Sequence, residues 1–130
     1  MESKLKLTKC TEKYWEFVRI QRTDLKNIDG FIERGNITPE DQINYMTKHS
    51  HEYRICLLGE IPVGFVGSVN NDIRVCVAHK YKNKGIGKFM IKKAMKLWPN
   101  ALAKVKIDND ASIMLFESCG YNLAFYIYKS

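Results

Sequence analysis

The segment that most constrains the fold is a basic loop with two glycines at residues 80–88, KYKNKGIGK, between a strand pattern and a helix pattern. The preceding residues 73–78 have the length and β-branched content of a strand, and residues 86–98 have helical periodicity. Gly85 and Gly87 allow a ligand to approach the backbone closely, and the first N–H groups of a helix have no internal partner. Together with the helix dipole and the lysines of the loop, this arrangement predicts a site for a phosphate-bearing ligand.

Two familiar phosphate-binding motifs do not fit these residues. A Walker A loop needs a glycine five positions before Gly87 and a Ser or Thr after the lysine, where this chain has Lys82 and Phe89. A dinucleotide fingerprint needs a small residue three positions after Gly87, where Met90 stands, and an acidic residue about 20 positions further on. The pattern that remains is Q/R-x-x-G-x-G/A after a strand, at residues 82–87.

This loop pattern resembles the acetyl-coenzyme A pyrophosphate loop of the GNAT N-acetyltransferases, with Lys82 in place of the usual Gln or Arg. A second block of that family is a strand followed by the pattern N-x-x-A-x-x-x-Y-x-x-x-G-F. The residues at these spacings are Asn109, Ser112, Phe116, Gly120 and Tyr121. The resemblance covers about residues 63–121, and two motifs in the right order are far more specific than one glycine loop.

Hydrophobic periodicity and turn signals predict a single domain over residues 1–130. Strands are predicted near Leu5 and at 53–58, 61–69, 73–78, 102–107 and 123–128, helices from Glu12, Thr38, Ile86 and Asp110, and turns at 27–30 and 34–36. The middle of the chain is predicted to be an antiparallel meander, and the crossover after the loop favours parallel pairing of its two flanking strands. The resemblance implies an α/β (α+β) fold with a mixed, mainly antiparallel sheet, one central parallel strand pair and about four flanking helices.

Composition narrows the class of protein further. The chain is 45% hydrophobic and 27% charged, which is ordinary for a globular domain. No run approaches about 18 apolar residues and the first residues lack a signal-peptide hydrophobic region, so a cytoplasmic protein without membrane contact is expected. The four cysteines show no C-x-x-C pairing, which predicts buried thiols and no disulfide. The sequence His49-Ser50-His51 has no evident third ligand, and no metal is expected.

The net charge of +7 has two explanations. The lysines of the loop suit the phosphates of coenzyme A, whereas Lys92, Lys93 and Lys96 fit a solvated helix face. Nucleic acid binding is the rival explanation, because a basic domain has the electrostatic footprint that it needs. The aromatic residues do not alternate with the lysines in a base-stacking pattern, and we therefore predict no nucleic acid partner.

The resemblance implies a coenzyme site formed by the loop and two splayed parallel strands. Val75 and Val77 would present main-chain groups to the pantetheine arm and thioester, Asn109 would steady the coenzyme from the other side, and Phe116 stands where the family has a tyrosine beside it. The loop residues implied to bind the pyrophosphate are Lys82, Asn83, Lys84, Gly85, Ile86, Gly87 and Lys88. Structural explanations remain open, because the two valines also suit any sheet core and Asn109 also suits a helix cap.

The implied reaction is direct attack of a neutral amine on the acetyl thioester, with acetyl-CoA as cosubstrate. It needs alignment, donors for the oxyanion, and proton handling. Asp72 is the candidate general base and Glu60 the second choice, although each also fits a solvated turn. Because Phe116 has no proton to give, Tyr121, Tyr126 or water would have to act as general acid.

The N-terminal part of the chain would shape the acceptor site. Trp15, Arg22 and the helix start at 37–40 faintly resemble the amino-sugar N-acetyltransferases of this superfamily, although Trp15 also suits a core and Arg22 a solvated face. The predicted acceptor is a primary amine of a small molecule; a protein or peptide amine, or a coenzyme A-binding module with little turnover, remain alternatives. Only one predicted strand, 123–128, follows the second block, so the protein is a monomer or a homodimer that pairs this edge.

Overall fold

A computed structural model describes residues 4–24 and 36–130 of the chain. Its strands and helices, in chain order, are β1 (Leu5–Lys9), α1 (Trp15–Thr23), α2 (Pro39–His49), β2 (Tyr53–Leu58), β3 (Ile61–Val69), β4 (Asp72–Val77), α3 (Ile86–Leu97) and α4 (Asp110–Ser118). The strands form one sheet in the order β1-β2-β3-β4, and each neighbouring pair is antiparallel. The mixed α/β class and the predicted meander are confirmed; the predicted turns at 27–30 and 34–35 lie outside the described residues.

Helix α2 begins as the sequence predicts, whereas α1 does not. The Thr38 hydroxyl accepts a hydrogen bond from Asp41 N at 3.0 Å, and the Asp41 carboxylate accepts one from Thr38 N at 3.2 Å, which completes a capping box. Thr11 forms no side-chain cap, and a 3-10 turn at Glu12–Tyr14 precedes the start of α1 at Trp15. The sequence therefore places the first helix correctly but starts it three residues too early.

Each face of the sheet carries a hydrophobic core. Helices α1 and α2 cover one face, where the buried residues include Val18, Met46, Tyr53, Ile55 and Phe65. Helix α3 covers the other, where they include Cys56, Val63, Val66, Ile86, Met90 and Ala94. Because side chains alternate along a strand, β2 and β3 contribute to both cores, which leaves β1 and β4 as the edges of the sheet.

The predicted strand at 102–107 is wrong, and the central parallel strand pair is not confirmed. One isolated parallel bridge joins Asp72 to Leu102, with Ile73 N donating to Leu102 O at 2.8 Å and Leu102 N donating to Asn71 O at 2.7 Å. Residues 103–109 then form no strand. This segment has the β-branched residues of a strand. A strand also needs a hydrogen-bonded neighbour along its length, and this segment separates from β4 after one bridge.

The predicted final strand at 123–128 is wrong for a related reason. Residues 121–130 form neither helix nor strand. In chain order, a strand at 123–128 would pair with the segment 103–107, which is itself not a strand. Neither segment therefore has a strand ladder along its length.

Candidate active site

The basic loop connects β4 to α3 through a 3-10 turn at His79–Tyr81 and four turn residues. Asn83 and Gly85 both have left-handed backbone, with φ of 65° and 81°. Gly85 is the N-cap of α3 and provides no side-chain acceptor for the first N–H groups of that helix. Those N–H groups remain available to an external anion, as the sequence predicts.

The two loop glycines are needed for different reasons. A Cβ built at Gly85 meets no atom within 4 Å, so this position requires glycine only for its positive φ. A Cβ at Gly87 would lie 3.0 Å from Leu115 Cδ2 and 3.6 Å from Val77 Cγ2. Gly87 therefore allows α3, α4 and the end of β4 to meet closely at the loop.

The loop lies in the most one-sided charge segment of the chain. All four loop lysines, Lys80, Lys82, Lys84 and Lys88, are exposed. Residues 73–107 contain ten basic residues and no acidic residue, a signal in the sequence that the motif comparison alone does not use. An anion at the start of α3 is therefore surrounded by full positive charges as well as by the helix dipole.

An open backbone edge on β4 leads into the loop. Because Ile73 N points away from β3 to Leu102, the alternate residues Val75 and Val77 direct their N–H and C=O groups the same way. Among the described residues, no backbone hydrogen bond reaches Val75 or Val77 from that side. Their side chains pack at the margin of the core under α3. The edge can therefore pair with an extended ligand.

The candidate base Asp72 lies at the start of β4, where the open edge ends at the bridge to Leu102. Lys104 Nζ lies 3.2 Å from Asp72 Oδ2, next to the bridge between Asp72 and Leu102. The ion pair ties the segment that follows Leu102 to the start of β4. The strand rise puts Asp72 about 10 Å from Val75 along β4. The other candidate base, Glu60, is exposed in the turn between β2 and β3.

Helix α4 packs against the start of α3, where Leu115 lies next to Gly87. Asn109 Oδ1 accepts a hydrogen bond from Ser112 N at 3.1 Å, so this residue caps α4 and leaves its amide NH₂ for another partner. Phe116 is buried, and its ring meets that of Tyr121 edge to face at 5.2 Å. Burial raises the pKa of the Tyr121 phenol, with a smaller contribution from Cys119, so Tyr121 keeps its proton. No contact joins Tyr121 to Asp72 in the described part of the chain.

The face of the sheet under α1 and α2 carries a cluster of polar side chains that the sequence did not indicate. The hydroxyls of Tyr45 and Tyr53 lie 2.8 Å apart, and the Tyr45 ring stacks on His49 at 4.5 Å. Arg74 pairs across the sheet with Gly67, which packs against Tyr53, so Arg74 lies on the same face. Strand alternation could have placed Arg74 there. The indole N–H of Trp15 is already bonded to Cys10 O.

Three buried thiols lie in or near the sheet. Burial raises the pKa of Cys10 and Cys56 to about 11 and that of Cys76 to about 12; Arg54 opposes the shift at Cys10, and Lys82 and Arg22 oppose it at Cys76. These thiols stay protonated at neutral pH and are poor nucleophiles. Across residues 4–24 and 36–130 no group of three His, Cys, Asp or Glu side chains could hold a metal ion, and no helix is long and apolar enough to cross a bilayer.

These features define a class of protein: a mixed α/β domain whose sheet edge opens beside a basic helix start that has no capping side chain. The sequence matches the model of the Acetyltransferase (GNAT) family over residues 12–121. The chain belongs to this family. A comparison with curated protein sequences gives no significant match.

Solved structures share the fold. A spermidine N-acetyltransferase from Vibrio cholerae, in complex with CoA and spermine, has a TM-score of 0.76 at 16% identity, covering 91% of this chain and 80% of that one. A domain from Methanocaldococcus jannaschii has a TM-score of 0.79 at 22% identity, covering 92% and 88%. A ribosomal-protein-alanine N-acetyltransferase from Brucella melitensis has a TM-score of 0.78 at 16% identity, covering 88% and 83%.

Proposed function

We propose that the protein transfers the acetyl group of acetyl-CoA to a primary amine of a small molecule. The observation that supports this most is that the open edge of β4 runs directly into the helix-start anion loop. Coenzyme A has a matching order of parts: a pantetheine arm with amide groups, then a pyrophosphate. Val75 and Val77 would pair with the arm, and residues 82–88 would bind the pyrophosphate.

Residues of the basic loop and of α4 fit this assignment. The exposed loop lysines supply charge for the pyrophosphate and the 3′-phosphate. Asn109 still has donors free after capping α4, and α4 packs against the loop through Leu115 and Gly87. Phe116 contributes an apolar wall to the same side. A metal has no role in this proposal.

The reaction is a direct transfer. The neutral amine nitrogen attacks the thioester carbonyl carbon, the C–S bond breaks, and the amine loses a proton while coenzyme A leaves as thiolate or thiol. An outward-facing N–H of β4 would donate to the oxyanion. Because burial keeps Cys10, Cys56 and Cys76 protonated, an acetyl-cysteine intermediate on these residues is disfavoured.

Two side chains, Asp72 and Tyr121, are assigned to proton transfer. Asp72 would accept the amine proton, directly or through water, from its position in the ion pair with Lys104. Tyr121 would protonate the leaving thiolate, because its raised pKa keeps the phenol in the acid form. A thiol has a pKa of about 8.5, so loss of this acid slows the reaction without abolishing it.

The acceptor is proposed to be a small polar amine such as an amino sugar. Tyr45 and Arg74 are half-buried beside the hydroxyl of the buried Tyr53, and these two side chains offer hydrogen bonds to sugar hydroxyls. A peptide amine is the second candidate, and a coenzyme A-binding module with little turnover is the third, since the family's tyrosine is replaced by Phe116.

A thiol-release assay with acetyl-CoA and a panel of amines tests the proposal. The panel contains glucosamine, glucosamine 6-phosphate, spermidine and a peptide with an N-terminal alanine. We expect turnover with a small-molecule amine above the rate of spontaneous hydrolysis. Turnover with the peptide alone favours the second candidate, and coenzyme binding without thiol release favours the third.

Two variants test the acid and base assignments in the same assay. Tyr121→Phe keeps the ring contact with Phe116 and should lower kcat by about 10² or more if the hydroxyl is the general acid. Asp72→Asn should lower kcat/KM, because it removes the proton acceptor without changing the size of the side chain. A variant with unchanged kcat and kcat/KM shows that its residue has only a structural role.

A further inference from the structure

Residues 123–128, here called the C-terminal tail, carry a continuous run of exposed apolar side chains. The exposed fractions are 68% for Leu123, 72% for Phe125, 73% for Tyr126, 78% for Ile127 and 90% for Tyr128. Single exposed apolar residues are normal, but a run of this size marks an interaction site. Apolar side chains occupy both alternating faces of the tail, which is typical of a strand that is covered on both sides.

The matching vacant edge lies next to residues 103–107, on the side that faces away from β4. Leu102 uses both its N–H and its C=O on β4 and Asn71, so an extended chain here directs the N–H and C=O groups of Ala103 and Val105 outward. Ile107, at the end of the segment, is 90% exposed.

The tail does not reach this position in its own chain. After α4, Tyr121 N is bonded to Phe116 O at 3.1 Å, and Gly120, with φ of 104°, turns the chain away from the helix axis. All residues from Asn122 to the end are exposed. The tail and the vacant edge are therefore both present and both without a strand partner in the described chain.

We propose that two copies of this chain form a dimer by exchanging their tails, residues 123–128 of each copy pairing with residues 103–107 of the other. A second copy is the occupant that supplies both parts, since each copy has one tail and one vacant edge and two-fold symmetry fills both. Burying three aromatic and two aliphatic side chains from each of two tails removes roughly 1,500 Å² of surface, which is the size of a stable interface.

Light scattering on size-exclusion fractions of the full chain tests the dimer. The variant Phe125→Ser with Ile127→Ser changes only exposed side chains, so it leaves the monomer core intact. The matched control is Ile43→Ser with Ile61→Ser, at sites that are 53% and 52% exposed elsewhere on the surface. We expect wild type and control at twice the monomer mass at micromolar concentration, and the tail variant at the monomer mass with an unchanged circular dichroism spectrum.

Hydrogen exchange then tests where the tail binds. In the dimer the amides of 103–107 and 123–128 should be protected, and both should lose protection in the tail variant. A monomeric wild type overturns the proposal, including the case in which its tail amides are protected by its own chain. A dimer that the tail variant retains, or one that leaves 103–107 unprotected, overturns it equally. None of these outcomes depends on coenzyme binding.

Discussion

At the residue scale, backbone conformation separates the two loop glycines and provides a matched test. Gly85 and Gly59 have positive φ, 81° and 62°, and a Cβ at either position meets nothing within 4 Å. Gly85→Ala and Gly59→Ala should each lower the free energy of unfolding by about 1 kcal/mol, because left-handed backbone is unfavourable for alanine. Only Gly85→Ala should weaken acetyl-CoA binding, by about tenfold or more in a titration. Equal affinities for the two variants would show that the loop does not contact the coenzyme.

Buried thiols predict a second residue-scale effect, the loss of stability at alkaline pH. Native pKa values of about 11 to 12 for Cys10, Cys56 and Cys76 lie above the ordinary value of 9.0. The unfolded chain therefore releases these protons first, and the stabilisation that is complete below pH 9 is lost as pH rises towards 11. With up to three protons involved, the free energy of unfolding should fall by at most about 4 kcal/mol per pH unit. Urea unfolding at several pH values measures this, and a flat profile from pH 9 to 11 would contradict it.

At the element scale, helix caps could be read from the sequence only where the capping geometry is complete. Thr38 satisfies both halves of a capping box, whereas Thr11 has the right residue type but makes no cap. Thr38→Ala should lower the free energy of unfolding by about 1 kcal/mol, and the matched Thr11→Ala should change it by less than about 0.5 kcal/mol. Thermal or urea unfolding measures both. Equal losses at the two positions would contradict the structural difference between them.

Strands could be predicted from the sequence where consecutive strands of the chain are also neighbours in the sheet. The hairpin at Gly59-Glu60 and the turn at Asn70-Asn71 bring β2, β3 and β4 into consecutive antiparallel pairs, so local patterns were sufficient. The segments 102–107 and 123–128 have equally good strand composition but no ladder, because their pairing depends on contacts that no local pattern specifies. The candidate site divides in the same way. Its loop and the outward-facing Val75 and Val77 were predictable, whereas the Asp72–Lys104 pair and the Tyr45–Tyr53 hydroxyl pair required the fold.

At the scale of the whole molecule, charge and topology converge on one edge of the sheet. The sequence from 73 to 107 has ten basic residues and no acidic one, and it contains the open edge of β4, the anion loop and α3. Under the proposed function this concentration would be the coenzyme surface, because acetyl-CoA carries its negative charge at one end. In the proposed dimer, the exchanged tail would lie next to residues 103–107, on the side that faces away from β4.

The most direct test of this account is a thermal shift with acetyl-CoA on three proteins. Lys82→Glu with Lys84→Glu reverses charge in the loop, and Lys92→Glu with Lys96→Glu makes the same change on the exposed side of α3. At about 100 times its Kd the ligand should stabilise wild type and the α3 variant by about 2.7 kcal/mol, a shift of the order of 10 °C, and the loop variant by far less. If wild type does not shift at millimolar acetyl-CoA, or if the loop variant shifts as much as the α3 variant, the loop is not the coenzyme site.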